Sequence, residues 1–141
     1  MLGFFEGLVT LHAAHFDVSR DKKIMENHKL VLPSNLNQYG YLFGGDLLKW
    51  VDEYAWIAAT LEYPDCNFVT LGMDKVEFKK SVRQGTILKF IVKKTKAGNT
   101  SVQYLVHVYR GNNMAMNDLI FSTRVTFVRI DQNGLKAPLP K

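Results

Sequence analysis

A glycine pair and an acid seven residues later mark the part of this 141-residue chain where chemistry is most readily built. Gly44 and Gly45 open the segment GGDLLKWVDEYAWIAATLE, and Asp52 lies within it. Glycines at a helix start leave the first backbone N–H groups uncovered, and those groups carry the positive end of the helix dipole. Such amides can stabilise an oxyanion. A carboxylate can act as a general base or as a nucleophile.

Asn37, in the turn-forming stretch SNLNQYG, is a further candidate because its side-chain N–H groups can donate to a substrate carbonyl. Each of these residues also has a structural interpretation. Asparagine is frequent in turns, where it bonds nearby backbone, and glycine permits close packing. A half-buried acid such as Asp52 can simply bond a backbone amide or a partner's side chain. The residue types alone leave both interpretations open.

The acid lies on a predicted helix from Gly44 to about Glu62, which Pro64 ends. At 100° per residue, Asp52 falls on the edge of the apolar stripe of this helix, whereas Glu53 points towards solvent. The stripe recurs at spacings of three and four residues: Leu47, Leu48, Val51, Ala55, Ala58 and Ala59.

The rest of the chain predicts strands. HKLVLP (28–33) reads as a short strand before the helix. Four segments rich in β-branched and aromatic residues follow the helix, at 68–78, 86–95, 100–110 and 119–130. Consecutive long strands favour an antiparallel sheet, and the single helix must bury its stripe against one face of that sheet. This predicts an α+β hotdog fold, in which a curved antiparallel sheet wraps one long central helix. One helix covers only part of so broad a sheet, so pairing with a second copy is expected.

The spacing within the helix also favours two copies. Asp52 lies seven residues beyond Gly45, or about 10 Å along the axis at 1.5 Å per residue. A reacting carbonyl must lie about 3 Å from both its hydrogen-bond donors and its base or nucleophile. We therefore predict that Asp52 of one chain faces the helix start of a second.

Composition sets the remaining bounds. A hydrophobic fraction of 47% and a charged fraction of 22% are typical of a globular protein, and the length predicts one domain, over 28–141.

The apolar segment 1–27 is an extension whose role is left open; Met25 would be a natural alternative start. It lacks the basic start of a signal peptide. One cysteine, Cys66, rules out an internal disulfide. We expect a cytoplasmic protein without a membrane partner.

The stretch PSNLNQYGYLFGGDLLKWVDE resembles the signature of the hotdog acyl-CoA thioesterases, the acyl-CoA hydrolase family. In that family Asn-x-x-Gly-x-(Leu/Ile/Val)-(Phe/His)-Gly-Gly precedes a helix with a carboxylate. The similarity continues through VTLGMDKVEF, KAGNTSV and the final FVRIDQNGLKAPLP, so it covers roughly residues 28–140. Asn, Gly, Gly-Gly and a helix Asp in this register are fairly specific.

The resemblance implies a role for each candidate. Asn37 matches the asparagine that holds the thioester carbonyl or the attacking water. Gly44 and Gly45 match the helix start whose amides polarise that carbonyl. Asp52 matches the catalytic carboxylate, as general base or nucleophile, and in the family it comes from a different hotdog unit than the Asn. The resemblance also implies no cofactor, CoA being part of the substrate, and a double-hotdog dimer that often forms a trimer of dimers.

Residues for the CoA moiety are less well marked. Lys96 and Lys136 are candidate phosphate contacts on charge alone, with ordinary surface lysines as the alternative. Asn99 stands where some relatives have Arg, and Ser81 stands where the family often has Pro.

Three functions follow as hypotheses. The first is hydrolysis of acyl-CoA to a free acid and CoA. The second is a non-catalytic acyl-CoA- or lipid-binding module that uses the same cleft. The third, nucleic-acid binding, rests only on the net charge of +5 and lacks an aromatic-plus-basic motif, so no nucleic-acid partner is expected.

Overall fold

The computed structural model describes residues 24–111 and 118–141. Within them lie one α-helix and five strands, together with a short 3-10 turn at Pro33–Asn35. Their bounds are β1 Ile24–Leu30, α1 Gly44–Glu62, β2 Asn67–Phe78, β3 Ile87–Ala97, β4 Ser101–Arg110 and β5 Leu119–Ile130. The helix begins and ends where the apolar spacing predicts.

The five strands form one sheet in the order β1-β3-β4-β5-β2, and every neighbouring pair is antiparallel. The strands β3, β4 and β5 follow one another directly, as consecutive long strands should. The segment that contains α1 separates β1 from β2, and these two strands lie at opposite edges of the sheet. The predicted antiparallel sheet with a single long helix is confirmed.

The hydrophobic core lies between α1 and the inner face of the sheet. The helix packs against β2, β3, β4 and β5. It buries one stripe of residues: Leu47, Trp50, Val51, Ala55 and Ala59. Leu48 and Ala58, which the spacing also places on this stripe, are partly buried at its border. Across from the helix, alternate residues of β4 and β5 point inward, among them Tyr104 and Phe127.

The first strand begins earlier than its sequence predicts. It starts at Ile24, four residues before the predicted domain boundary at 28, and it ends at Leu30 rather than at Pro33. The polar run at 26–28 hides the strand from a hydrophobicity pattern, because β1 is an edge strand whose pairing with β3 defines it. Residues 1–23 lie outside the described part of the chain, so the role of the extension stays open.

A partly buried polar network fixes the C-terminal end of the helix. The Tyr104 hydroxyl donates to the Glu62 carboxylate, and the Lys94 ammonium donates to both Glu62 (3.3 Å) and the Tyr63 hydroxyl (2.6 Å). Burial, and then the neighbouring carboxylate, raise the pKa of Tyr104, so the phenol keeps its proton and remains a donor. The network therefore joins the end of α1 to the central strand β4 and to its neighbour β3.

We expect Tyr104→Phe to lower the free energy of unfolding by about 1–2 kcal/mol, because Glu62 loses a donor while the ring still fills the core. Urea denaturation of both proteins measures this difference. Tyr39→Phe, at a largely exposed tyrosine, is the matched control and should change nothing. Equal stabilities of wild type and Tyr104→Phe would show that water replaces the lost bond.

In the described part of the chain, no helical segment combines the length and the hydrophobicity of a bilayer-spanning helix.

Candidate active site

The loop before the helix holds Asn37 in a fixed orientation. Its Oδ1 accepts hydrogen bonds from the backbone N–H groups of Tyr39 (2.9 Å) and Tyr41 (3.1 Å), and the backbone N–H of Asn37 donates to the Tyr41 carbonyl. Gly40 completes this turn with φ +84°, a conformation that glycine adopts without strain. The turn interpretation of Asn37 is thus correct for its oxygen. The side-chain N–H₂ group remains as the donor that this residue can offer a ligand.

Asn37 lines a cleft of about 410 Å³ at the start of the helix. The cleft lies between the loop, the first turn of α1 and the segment that follows β2. Its walls are apolar with a few polar groups, as is usual for small-molecule sites. The other residues that line it are Tyr41, Leu42, Gly44, Leu47, Phe78, Lys79, Lys80, Ser81, Val82 and Ile120.

The two glycines differ in their positions relative to the cleft. Gly44 lines it, and a β-carbon at this position would lie 3.2 Å from the ring of Phe78. Gly45 lies one residue further on, against the ring of Phe43, and does not line the cleft. Both N–H groups belong to the first turn, where the helix provides no acceptor. The structure therefore brings Asn37 and the helix start together.

Asp52 lies elsewhere, two turns along the helix. Its Oδ1 accepts a hydrogen bond from the Thr70 hydroxyl on β2 at 2.7 Å, and Asp52 is not part of the cleft wall. The acid is half-buried, as its place on the edge of the stripe predicts. Thr70 cannot be identified as a site residue from the sequence, because threonine is common in strands and has no distinctive spacing here.

Asp52 and Thr70 lie beside the open edge of the sheet. The edge strand β2 exposes three apolar side chains, Val69 (44%), Leu71 (65%) and Val76 (40%). Trp56, one helical turn beyond Asp52, is also exposed, and its indole N–H donates to the Phe68 carbonyl at 3.3 Å. An apolar edge strand with free backbone groups is a surface that a second chain can cover.

A buried carboxylate holds a cation at the rim of the cleft. Asp118 Oδ1 accepts from the Lys80 ammonium at 2.8 Å, and Oδ2 accepts from the Arg110 guanidinium at 2.7 Å. These bonds, that of Lys80 above all, lower the pKa of Asp118 against the opposing effect of burial. Asp118 is thus a carboxylate at neutral pH.

The residues predicted for CoA lie far from this cleft within one chain. Lys96 and Asn99 lie at the β3–β4 turn and Lys136 lies in the C-terminal segment, which is joined to that turn by the hydrogen bond from the Leu139 N–H to the Asn99 carbonyl at 2.8 Å. The cleft is near the other end of β5, roughly 30 Å away at about 3.3 Å per residue. Within one chain, the cleft and these residues thus lie towards opposite ends of β5.

No group of three or more His, Cys, Asp or Glu side chains suited to a metal ion occurs in 24–111 and 118–141. His107 lies in β4, with Nδ1 3.2 Å from the Tyr109 hydroxyl.

Comparison with known protein families shows to which family this chain belongs. The model of the thioesterase superfamily matches residues 39–116, more than half of the chain. The chain belongs to the thioesterase superfamily. The matched segment includes the helix start, Asp52 and Thr70.

Two curated relatives of this superfamily member match most of its sequence. Protein VdlD of Helicobacter pylori is 29% identical over 92% of this chain and 76% of its own length. An uncharacterised acyl-CoA thioester hydrolase of Bacillus subtilis, YkhA, is 29% identical over 86% of this chain and 70% of its own.

Solved structures share the fold. A hexameric hotdog-fold thioesterase of Campylobacter jejuni superposes with a TM-score of 0.70 at 32% identity, over 81% of this chain and 88% of that one. The acyl-CoA hydrolase of Staphylococcus aureus, in complex with butyryl-CoA, CoA and CoA disulfide, gives a TM-score of 0.73 at 27% identity over 84% and 72% of the two chains. Alanine variants of that hydrolase at an asparagine, an aspartate and a threonine also superpose. The thioesterase-superfamily chain thus has the hotdog fold.

Proposed function

We propose that this protein hydrolyses acyl-CoA thioesters to a free carboxylic acid and CoA. The single observation that carries the proposal is the cleft in which Asn37 and Gly44 converge, in a member of the thioesterase superfamily. The S. aureus neighbour, which holds butyryl-CoA and CoA, supports this choice of substrate. The proposed hydrolysis of the thioester uses only side chains and backbone amides of the protein and needs no cofactor.

Donors in the cleft and directly beside it polarise the thioester carbonyl. The Asn37 side-chain N–H₂ and the amides of Gly44 and Gly45 donate to the carbonyl oxygen, which becomes an oxyanion as the nucleophile adds. Because Oδ1 of Asn37 is already used twice in the turn, its amide group needs no reorganisation when the substrate arrives. Preorganised donors of this kind are worth about 10²–10³-fold in kcat.

Asp52 activates the nucleophile. As a general base it takes a proton from water while the water oxygen bonds the carbonyl carbon. The tetrahedral intermediate then collapses with cleavage of the C–S bond, and the departing CoA sulfur receives the proton that Asp52 took. Direct attack by the carboxylate would instead give an anhydride that water opens. In both routes the Thr70 hydroxyl fixes the carboxylate through its bond to Oδ1.

The two half-sites meet in a dimer formed by the open edge of β2. Gly44 of the helix start lies against Phe78, and Asp52 bonds Thr70, eight residues earlier on the same strand. An antiparallel pair of β2 strands with a twofold axis near Asp74 sets Thr70 opposite Phe78 of the second copy. This pairing brings each acid to the other chain's helix start, and it covers the exposed apolar residues of the strand. The hexameric neighbours support further assembly as a trimer of dimers.

The S. aureus variants add support for these residues. The substituted asparagine and aspartate of that hydrolase lie fifteen positions apart, which is also the separation of Asn37 from Asp52. Its threonine lies seventeen positions beyond the aspartate, against eighteen for Thr70.

The CoA moiety extends over the rim of the same cleft. Lys79 and Lys80 line it and supply positive charge for the phosphates of CoA. Lys96, Asn99 and Lys136 lie on the side of the sheet where β2 begins, so in the proposed dimer they face the neighbouring site. They remain candidates for a contact from the second chain.

The proposal is tested by turnover of short, medium and long acyl-CoAs, with the released thiol followed by a thiol reagent. We expect hydrolysis of at least one chain-length class, and the panel defines the acyl specificity. Tight binding across the panel without thiol release would instead favour the acyl-CoA- or lipid-binding module.

A further inference from the structure

Asp118 has no part in the chemistry above, yet its surroundings are unusual. Among the buried residues of the described ranges, Asp118 is the one that carries a charged side chain. A buried charge is costly unless it is paired and hydrogen-bonded. Here both carboxylate oxygens are paired, each with a different cation.

The two cations differ in what they can reach. Arg110 belongs to the end of β4 and lies across the β4–β5 connection from Asp118, where the Arg110 N–H also donates to the Asp118 carbonyl. Lys80 follows β2 and lines the cleft, with 47% of its side chain exposed. One ammonium N–H points at Asp118, which leaves two for a ligand. Arg110 also offsets the negative charge that would repel an anion from Lys80.

We propose that Asp118 is a positioning residue that holds the Lys80 ammonium at the rim of the cleft to bind a phosphate group of CoA. This inference rests on the proposed thioesterase function. A lysine side chain has many rotamers, and fixing it before the substrate binds removes part of the entropic cost of the contact. Asp118 thereby raises the affinity for substrates that carry the nucleotide part of CoA.

The test compares two substrates with the same acyl group, an acyl-CoA and an acyl N-acetylcysteamine thioester, which lacks all phosphates. In Asp118→Asn we expect KM for the acyl-CoA to rise about five-fold, since Lys80 is partly exposed and its contact is screened by water. Its kcat, and both constants for the phosphate-free thioester, should stay unchanged. Simple electrostatics predicts the reverse sign, because removing a negative charge favours a polyanion.

A double-mutant cycle with Lys80→Ala separates positioning from a structural role. Lys80→Ala should raise KM for the acyl-CoA by a similar factor, and Asp118→Asn should add nothing in that background. Glu26→Gln, which removes an ion-paired acid from the opposite edge strand, is the matched control and should leave KM unchanged. Asp118→Glu keeps the charge but moves it, so it should raise KM even if the Asn variant folds poorly.

Several results would overturn the inference: an unchanged or lower KM for acyl-CoA, equal losses with both substrates, or an Asp118→Asn effect that persists without Lys80. These differ from a failure of the proposed function, in which the wild type would hydrolyse neither thioester.

Discussion

Replacing Asp52 by asparagine is expected to lower kcat for acyl-CoA hydrolysis by about 10³-fold, within the range known for the loss of a general base. The amide has the same shape, and its oxygen can still accept the hydrogen bond of Thr70. It can neither take a proton from water at neutral pH nor attack a carbonyl. The stability of the protein should therefore remain close to that of the wild type while turnover is lost.

Steady-state kinetics and thermal melting of the variant measure the two effects separately. Glu53→Gln is the matched control, because Glu53 is the exposed neighbour of Asp52 in the same helix and carries the same charge. It should keep full activity. Undiminished turnover in Asp52→Asn would remove this residue from the mechanism. A variant that loses activity only together with its melting transition would indicate a structural acid.

Mixing two inactive variants should restore activity if each site is shared between chains. Asn37→Ala disables the donor half and Asp52→Asn disables the acid half. In a dimer with one chain of each kind, one site carries both defects and the other carries neither. Random pairing in equal amounts makes half of the dimers mixed, so about a quarter of all sites should be intact.

Co-expression of the two chains with different affinity tags, followed by tandem purification, yields assemblies that contain both chains; about half of the sites should turn over if the assembly is a dimer, and just over a quarter if it is a trimer of dimers. Each homodimer, purified in the same way, is the control and should stay inactive. Mixed dimers as inactive as the homodimers would place Asn37 and Asp52 in the site of a single chain. Recovery without any stable association, as judged by sedimentation, would contradict pairing through β2.

The sequence predicts those parts of the fold that local patterns determine. The helix could be bounded at Gly44 and Glu62 because its apolar spacing is regular and Pro64 follows it. The bounds of β1 do not follow from its own pattern, since an edge strand with a polar centre is defined by its pairing with β3 rather than by its own residues.

The candidate site likewise contains residues that local patterns reveal and residues that depend on long-range contacts. The candidates Asn37, Gly44 and Asp52 stand out by residue type and spacing. Thr70 and Asp118 do not, because their partners lie 18 and 38 residues away in the sequence. Those contacts arise only when the strands take their places in the sheet.

The oxygen and the nitrogen of the Asn37 side chain have different roles, and this determines what a substitution at this position would do. Its oxygen maintains the loop through the amides of Tyr39 and Tyr41, whereas in the proposed mechanism its nitrogen donates to the ligand. An aspartate at this position would keep the oxygen and the turn, but it would present a second acceptor to the substrate carbonyl. The backbone would fold as before while the site repelled the oxyanion it should stabilise. In the proposed mechanism, exchange of a single NH₂ group for an oxygen would therefore convert a hydrolase into an inert protein of the same shape.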